Sequence, residues 1–268
     1  DGKLIDLFEG EKDLQLKTIR AIGTPDARFK EDALRIIRAI RFVSRLGFEI
    51  DKDTFLSMKK NLELIKTLPS ERMVAELEKI FAGPYSEKAM SYLEALQFTQ
   101  AFPEFKNSLK AYLHSGYTLN FKEFFALSFI LMEREIPVYW RFSKKDLLWI
   151  EQVKVLAKRL ENEELNNYLV FQFGLEKTLT ANKLNCISGV KCNKESLIKE
   201  LAENLKIKHK DELKINGDEL KSFINFKKEE TIGKVLLELE RQVVMKLITN
   251  DKQTLKESAL KLVEQLDG

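Results

Sequence analysis

Histidine and cysteine are scarce in this chain. His114 and His209 are its only histidines, and Cys186 and Cys192 its only cysteines, in 268 residues. A histidine-rich metal site is thereby excluded, and a Ser-His-Asp triad is disfavoured. The cysteine spacing is not that of a zinc site, and so few cysteines in a chain this long point to a reducing compartment. Both are read as core residues, and the expected location is cytoplasmic. Long apolar runs are also missing: nothing approaches the roughly 20 residues that span a bilayer. Phe124 to Met132, the most hydrophobic stretch, reads as a buried helix. Neither a signal peptide nor a membrane partner is expected. Only eleven Gly and five Pro favour long helices over a turn-rich β protein.

What remains is ordinary soluble composition, 44% hydrophobic and 32% charged, enough for a core between two or three helical layers. A net charge of +3 permits a nucleic-acid partner without demanding one. The chain starts at Asp1 rather than Met, so a preceding segment is expected.

Asp1 to Gly10 reads as strand, turn and strand, with Leu4-Ile5 and Leu7-Phe8 as the strand residues, and Thr18 to Ile22 as another β-like stretch. So short a fragment is unstable alone and implies further strands upstream. A helix is expected from near Phe29 to Leu46, with Gly47 as its left-handed cap. Asp51 or Asp53 should cap the next. Helices follow from Ser70 to Gly83, Ser86 to Leu96, Leu109 to His114, Phe121 to Glu133 and Ser143 to Leu160, the last with a Ser143/Asp146 capping box. Further amphipathic segments are Leu175–Leu184, Lys194–Leu205, Gly217–Asn225, Gly233–Ile248 and Asp251–Leu266. The class is all-α, elongated, with a small β remnant at its start.

One segment stands out. From Glu31-Asp32 onward, Arg35, Arg38, Arg41 and Arg45 fall on one helical face, and Ala33, Ile36, Ile37, Ile40 and Val43 on the other. A charged surface helix, with Glu31 and Arg35 as an i,i+4 pair, is one reading. The other is a ligand site. Asp32 only accepts hydrogen bonds and Arg35 only donates. Together they match a base edge with an amino donor beside a ring-nitrogen acceptor, as in cytosine and adenine but not uracil or guanine. Arg38 and Arg41 could reach a triphosphate. Asp51-Lys52-Asp53 has the Asp-x-Asp pattern of two-metal sites but sits where a helix cap belongs. Lys206, Lys208, His209, Lys210, Lys214, Lys221, Lys227 and Lys228 could track a phosphate backbone or form a solvated face, and no RNA-binding residue is assigned. Tyr139, Trp140 and Trp149 are read as packing residues rather than a base-stacking platform.

The run Asp1-Gly2, Ile5-Asp6, Phe8, Gly10, Asp13-Leu14, Ile19-Arg20, Gly23, Arg28-Phe29, Glu31-Asp32-Ala33-Leu34-Arg35, Arg38-Ala39, Arg41-Phe42 and Leu46-Gly47-Phe48 resembles class II tRNA nucleotidyltransferases, the CCA-adding enzymes and their poly(A) polymerase relatives. Ser70-Glu71-Arg72 with Glu76-Leu77 fits the next segment, and Ile215-Asn216-Gly217-Asp218, Leu220 and Ile232-Gly233 resemble the tail motif. Glu230-Thr231 stands in place of the family's usual Gly-Pro there. The resemblance implies that Asp32 and Arg35 select CTP and ATP, with Arg38 and Arg41 completing the nucleotide site. It implies a head remnant over residues 1–23, a neck over 24–85, a body over 86–190 and a tRNA-binding tail over 191–268. The family's Gly-Gly-x-x-Arg-Asp segment and metal-binding Asp-x-Asp would precede Asp1. No catalytic or metal-binding residue is therefore expected in this chain, which alone should be inactive, and Mg²⁺ would act through the head. Expected partners are the tRNA acceptor end, CTP and ATP, with the chain a monomer or homodimer. Alternatives are a poly(A) polymerase, a CC-only or A-only enzyme, or a non-catalytic helical RNA-binding module.

Overall fold

The computed structural model describes residues 5–132, 137, 139–226 and 228–267. Its elements are α1 (Gly10–Gln15), β1 (Thr18–Ile19), α2 (Pro25–Glu31), α3 (Leu34–Leu46), β2 (Glu49–Ile50), α4 (Lys52–Lys60), a 3-10 turn (Leu62–Thr67), α5 (Ser70–Phe81), α6 (Ser86–Ala95) and α7 (Phe98–Ala101). After a 3-10 turn at Pro103–Phe105 come α8 (Lys106–Ser115), α9 (Phe121–Met132), α10 (Lys144–Asn162), α11 (Asn167–Phe173), α12 (Leu175–Ser188) and α13 (Glu195–Glu203). A further 3-10 turn at Lys210–Glu212 leads to α14 (Gly217–Lys221), α15 (Glu229–Val244) and α16 (Lys252–Asp267). The all-α expectation holds: two two-residue strands are the only β structure among the described residues.

The N-terminal segment departs from the expected strand pair. Leu7 and Phe8 form a bend outside any sheet and, like Ile5, lie exposed; Gly10–Gln15 is helical, and Leu4 falls outside the described residues. The partner of β1 lies downstream, since Thr18 and Ile19 pair in parallel with Glu49 and Ile50. A two-residue strand needs any adjacent edge it can reach, and β2 follows α3 closely enough to supply one.

Contacts divide the chain into two compact units. The first comprises 1–154 and 187–190, the second 155–186 and 191–268. In the first, α3 is central and packs on α5 and α6. Leu34, Ile36, Ile37, Ile40 and Val43 are fully buried, each contributing about 1.5–3 kcal/mol, so the apolar half of the sequence pattern fixes the orientation of the helix. Gly47 ends it at φ 71°, as expected of a left-handed cap. Helix α9 is buried nearly all round, and Phe121, Phe124, Phe125 and Phe129 join Phe105 and Trp140 in an aromatic core. Asn120 and Glu123 cap it reciprocally: each side chain accepts the other's amide, at 2.9 and 3.0 Å. Ser143 and Asp146 open α10 as the sequence pattern indicates.

The second unit gathers Ile207, Ile215, Leu220, Val235, Leu239, Val243 and Leu255 into its own core. Asn216 and Glu219 form a capping box at α14. Cys186 and Cys192, read from sequence as core residues, instead form a disulfide, with Cys186 half-buried and Cys192 exposed. The chain turns back through Gly189 at φ 75°, which brings the two Cα atoms to 5.1 Å.

Candidate nucleotide site

The segment singled out in the sequence is not one helix. Asp32 is extended (φ −149°, ψ 102°), so α2 ends at Glu31 and α3 begins at Leu34. The cause is local. The Asp32 Oδ1 atom accepts the Leu34 amide at 3.1 Å, the kind of side-chain competition that makes Asp a helix breaker. The break places Asp32 at the mouth of α3 rather than along its ridge.

Each of the four predicted residues has a partner. Arg72 on α5 donates to Asp32 Oδ2 at 3.2 Å. Arg35 Nη1 donates to Glu31 at 2.7 Å and to the Arg28 carbonyl at 2.9 Å. The i,i+4 pair of the surface-helix reading is thus present, across the break, and Arg28 also binds that Glu31 oxygen at 2.7 Å. These arginines hold the Glu31 carboxyl below its ordinary range, the Arg35 hydrogen bond being the largest cause. Arg35 donates only through Nη1 here, which leaves Nε and Nη2 for another acceptor. Asp32 likewise uses one lone pair on each oxygen. Donor and acceptor are both pre-oriented and neither is saturated.

Further along, Glu76 of α5 is buried among cations: Arg41 Nε lies 3.1 Å from its Oε2, Lys79 3.3 Å and Arg38 3.9 Å from its Oε1. The Arg41 approach has ion-pair distance without hydrogen-bond alignment, and Oε2 has no hydrogen-bond partner. Arg28, Arg35 and Arg38 line a cleft of about 230 Å³ together with Phe29, Ala39 and Phe42. Asp32 stands outside this lining, and Arg41 lines a neighbouring cleft. Arg35 and Arg38 therefore line one hollow and Arg41 the adjoining one, while Asp32, between α2 and α3, lines neither.

Sequence reading gave no role to Arg72 or Glu76. A signal for Glu76 exists: it sits on the same stripe of α5 as the buried Met73, Leu77 and Ile80, where a lone carboxylate needs a partner. Asp51 caps α4, accepting the Thr54 amide at 3.0 Å, and also binds Arg20 at 2.8 Å. Trp140 is buried, and its indole and the Tyr139 hydroxyl both donate to Glu104. Lys122 lies over the Trp149 ring. Lys206, Lys208, Lys210, Lys214, Lys221 and Lys228 are exposed, while Lys227 lies outside the described residues.

The family model described as tRNA nucleotidyltransferase domain 2 matches residues 131–259, and that described as Probable RNA and SrmB-binding site of polymerase A matches 47–109. A CCA-adding enzyme of Ligilactobacillus salivarius is 33% identical over 98% of this chain and 68% of its own length. The chain belongs to the CCA-adding tRNA nucleotidyltransferase family. A Levilactobacillus brevis CCA-adding enzyme is 30% identical, over 95% of this chain and 66% of its own. Among solved structures, the Bacillus stearothermophilus CCA-adding enzyme in complex with CTP is 25% identical and superposes with a TM-score of 0.83, over 98% of this chain and 70% of that one. The chain thus spans about two thirds of the length of these family members. Among the described residues no helix is long and apolar enough to cross a membrane.

Proposed function

We propose that this chain is the nucleotide-selecting and tRNA-binding part of an enzyme that adds C, C and A, from CTP and ATP, to tRNA 3′ ends without a nucleic-acid template. The observation that carries this is the pair of half-used, oppositely polar groups at the start of α3: the Asp32 carboxylate, steadied by Arg72 and the Leu34 amide, and Arg35, steadied by Glu31 and the Arg28 carbonyl. Asp32 accepts the exocyclic amino group of cytosine or adenine, and Arg35 donates to the neighbouring ring nitrogen. Uracil and guanine would set donor against donor and acceptor against acceptor, leaving groups unpaired at about 1–3 kcal/mol each. Arg38 and Arg41 steady the rest of the nucleotide.

Transfer itself needs groups outside this chain. Asp51, the first carboxylate of the Asp51-Lys52-Asp53 pattern, is committed to the α4 cap and to Arg20, so the pair does not fit a shared Mg²⁺ site. In the whole enzyme Mg²⁺ would be held elsewhere, activating the 3′ hydroxyl and stabilising the pyrophosphate. This reading makes the chain alone inactive and cytoplasmic, and divides it into head remnant (1–23), neck (24–85), body (86–190) and tail (191–268).

Calorimetric titration of the chain with CTP, ATP, UTP and GTP tests the base-edge reading. CTP and ATP should bind more tightly than UTP and GTP, and Asp32→Ala or Arg35→Ala should erase the difference. Equal binding of all four by the parent chain, or unchanged preference in both variants, refutes it. Incubating the whole protein with tRNA lacking its 3′ end and each nucleotide separately distinguishes CCA addition from CC-only, A-only or poly(A) synthesis.

A further inference from the structure

The nucleotide reading leaves Arg45, at the far end of the α3 ridge, without a ligand. Beyond Phe42 lies the second cleft, about 260 Å³, lined by Arg41, Phe42 and Arg45 of α3 and by Lys79, Ala82 and Gly83 at the end of α5. Three of these six residues are cations and none is acidic. Arg41 and Lys79 are partly balanced by Glu76, but no carboxylate among the described residues pairs with Arg45, which is exposed.

The cleft is also rigidly built. A Cβ at Gly83 would stand 2.0 Å from Ser44 Oγ and 2.6 Å from the Ser44 carbonyl oxygen, so the end of α5 lies directly against the α3 backbone. The Tyr85 amide donates to that carbonyl at 2.9 Å. Arg45 and Lys79 sit next in sequence to Ser44 and Ile80, whose hydroxyl-to-carbonyl hydrogen bond ties the two elements together. Phe42 borders both clefts and is 43% exposed, with the Arg41 guanidinium 4.9 Å from its ring centre. The Phe42 ring, partly exposed and already carrying the Arg41 guanidinium, offers its remaining exposed surface for base stacking beside anion-binding groups. Those two features together fit a nucleotide unit of a strand better than an isolated anion.

We propose that this second cleft holds single-stranded RNA, the phosphodiester next to the growing 3′ end lying between Arg45 and Lys79 and a terminal base stacking on Phe42. The proposal rests on the reading that Asp32, Arg35 and Arg38 take the incoming nucleotide, and it sets Arg41, which lines the second cleft, at the boundary between nucleotide and strand. The two clefts, sharing Phe42, would then hold the acceptor strand and its next residue side by side.

Fluorescence anisotropy with a labelled RNA hexanucleotide ending in CC, without added nucleotide, tests it on the chain itself. Arg45→Gln combined with Lys79→Gln should weaken binding at least about tenfold and reduce the slope of log affinity against log salt by about 0.7, the share of one neutralised phosphate on a single strand. An oligomer with abasic 3′ residues should bind the parent chain about fivefold more weakly or worse. CTP affinity in the double variant should stay within about twofold of the parent, and its circular dichroism should match. Hexanucleotide affinity within about twofold of the parent in the double variant overturns the proposal, as does failure of the parent chain to bind the oligomer at about 50 mM salt. Equal loss of CTP and RNA binding also overturns it, by assigning the cleft to the mononucleotide. If the parent binds RNA through Arg45 and Lys79 but shows no base preference, the Asp32 reading fails and the strand site stands.

Discussion

Arg72 reaches across from α5 to hold the Asp32 carboxylate at 3.2 Å, so the acceptor proposed to read the base is fixed by a residue forty positions away. Both side chains are partly solvent-exposed, 46% for Arg72 and 26% for Asp32, which keeps the stability worth of the pair to about 0–1 kcal/mol. The orientation it imposes matters more. Arg72→Ala should therefore leave the thermal midpoint nearly unchanged while reducing discrimination of CTP over UTP about three- to tenfold, on the scale of one such contact. Binding titrations beside melting curves read both quantities. A large fall in stability with intact selectivity would make Arg72 a scaffold residue only.

Glu76 behaves differently because it is buried. Its carboxylate faces Arg41, Lys79 and Arg38, and removing its charge leaves those cations beside a neutral group that cannot compensate them. Since the cations themselves are partly hydrated, Glu76→Gln should cost about 1–3 kcal/mol, below the penalty of a fully buried broken pair. Urea unfolding of the parent chain and the variant measures this. The same substitution should loosen Arg38 and Arg41 and weaken nucleotide binding.

These two residues mark where sequence reading stops. The apolar face of α3 was legible because Ile36, Ile37, Ile40 and Val43 repeat with helical period, and burial follows period. The caps at Asp51, Ser143 and Gly47 were legible for the same local reason. The helix break at Asp32 was not, because a single Asp within a helical pattern signals a cap only weakly, and here the Leu34 amide decided it. The partners of Asp32, Arg38 and Arg41 came from α5, a tertiary relation that no spacing encodes, whereas the Glu31/Arg35 pair was legible as an i,i+4 spacing. The disulfide was missed because the turn through Gly189, not the interval between the cysteines, brings them together.

That disulfide should add little. Asn182, buried, already pins the returning strand by donating to the Asn193 carbonyl at 2.9 Å and accepting the Asn193 amide at 2.7 Å. Closing so short a loop restricts the unfolded chain by at most about 2 kcal/mol. Cys186→Ser with Cys192→Ser, or reduction by dithiothreitol, should lower stability by no more than that and leave the helical content intact. Asn182→Ala should cost about 1–3 kcal/mol even with the disulfide formed, because the Asn193 backbone groups lose both partners. Thermal melts with and without reductant distinguish the two devices.

Acid should act on the last helix through Asp251. Its carboxylate accepts the Thr254 amide at 2.9 Å, the Thr254 hydroxyl at 2.8 Å and the Thr249 hydroxyl, capping α16. These bonds, the Thr249 hydroxyl foremost, hold its pKa down to about 2, against about 3.9 in an unfolded chain. A depressed folded-state pKa means stability that is fully present above about pH 4 and is lost as pH falls towards 2. Asp251→Asn keeps a competent cap but has no proton to take up. Its thermal midpoint should therefore fall less steeply than that of the parent between about pH 4 and 2, and converge with the parent's behaviour above about pH 5. Parallel melts across that range provide the check: equal slopes in the two proteins would show that Asp251 does not contribute to acid sensitivity.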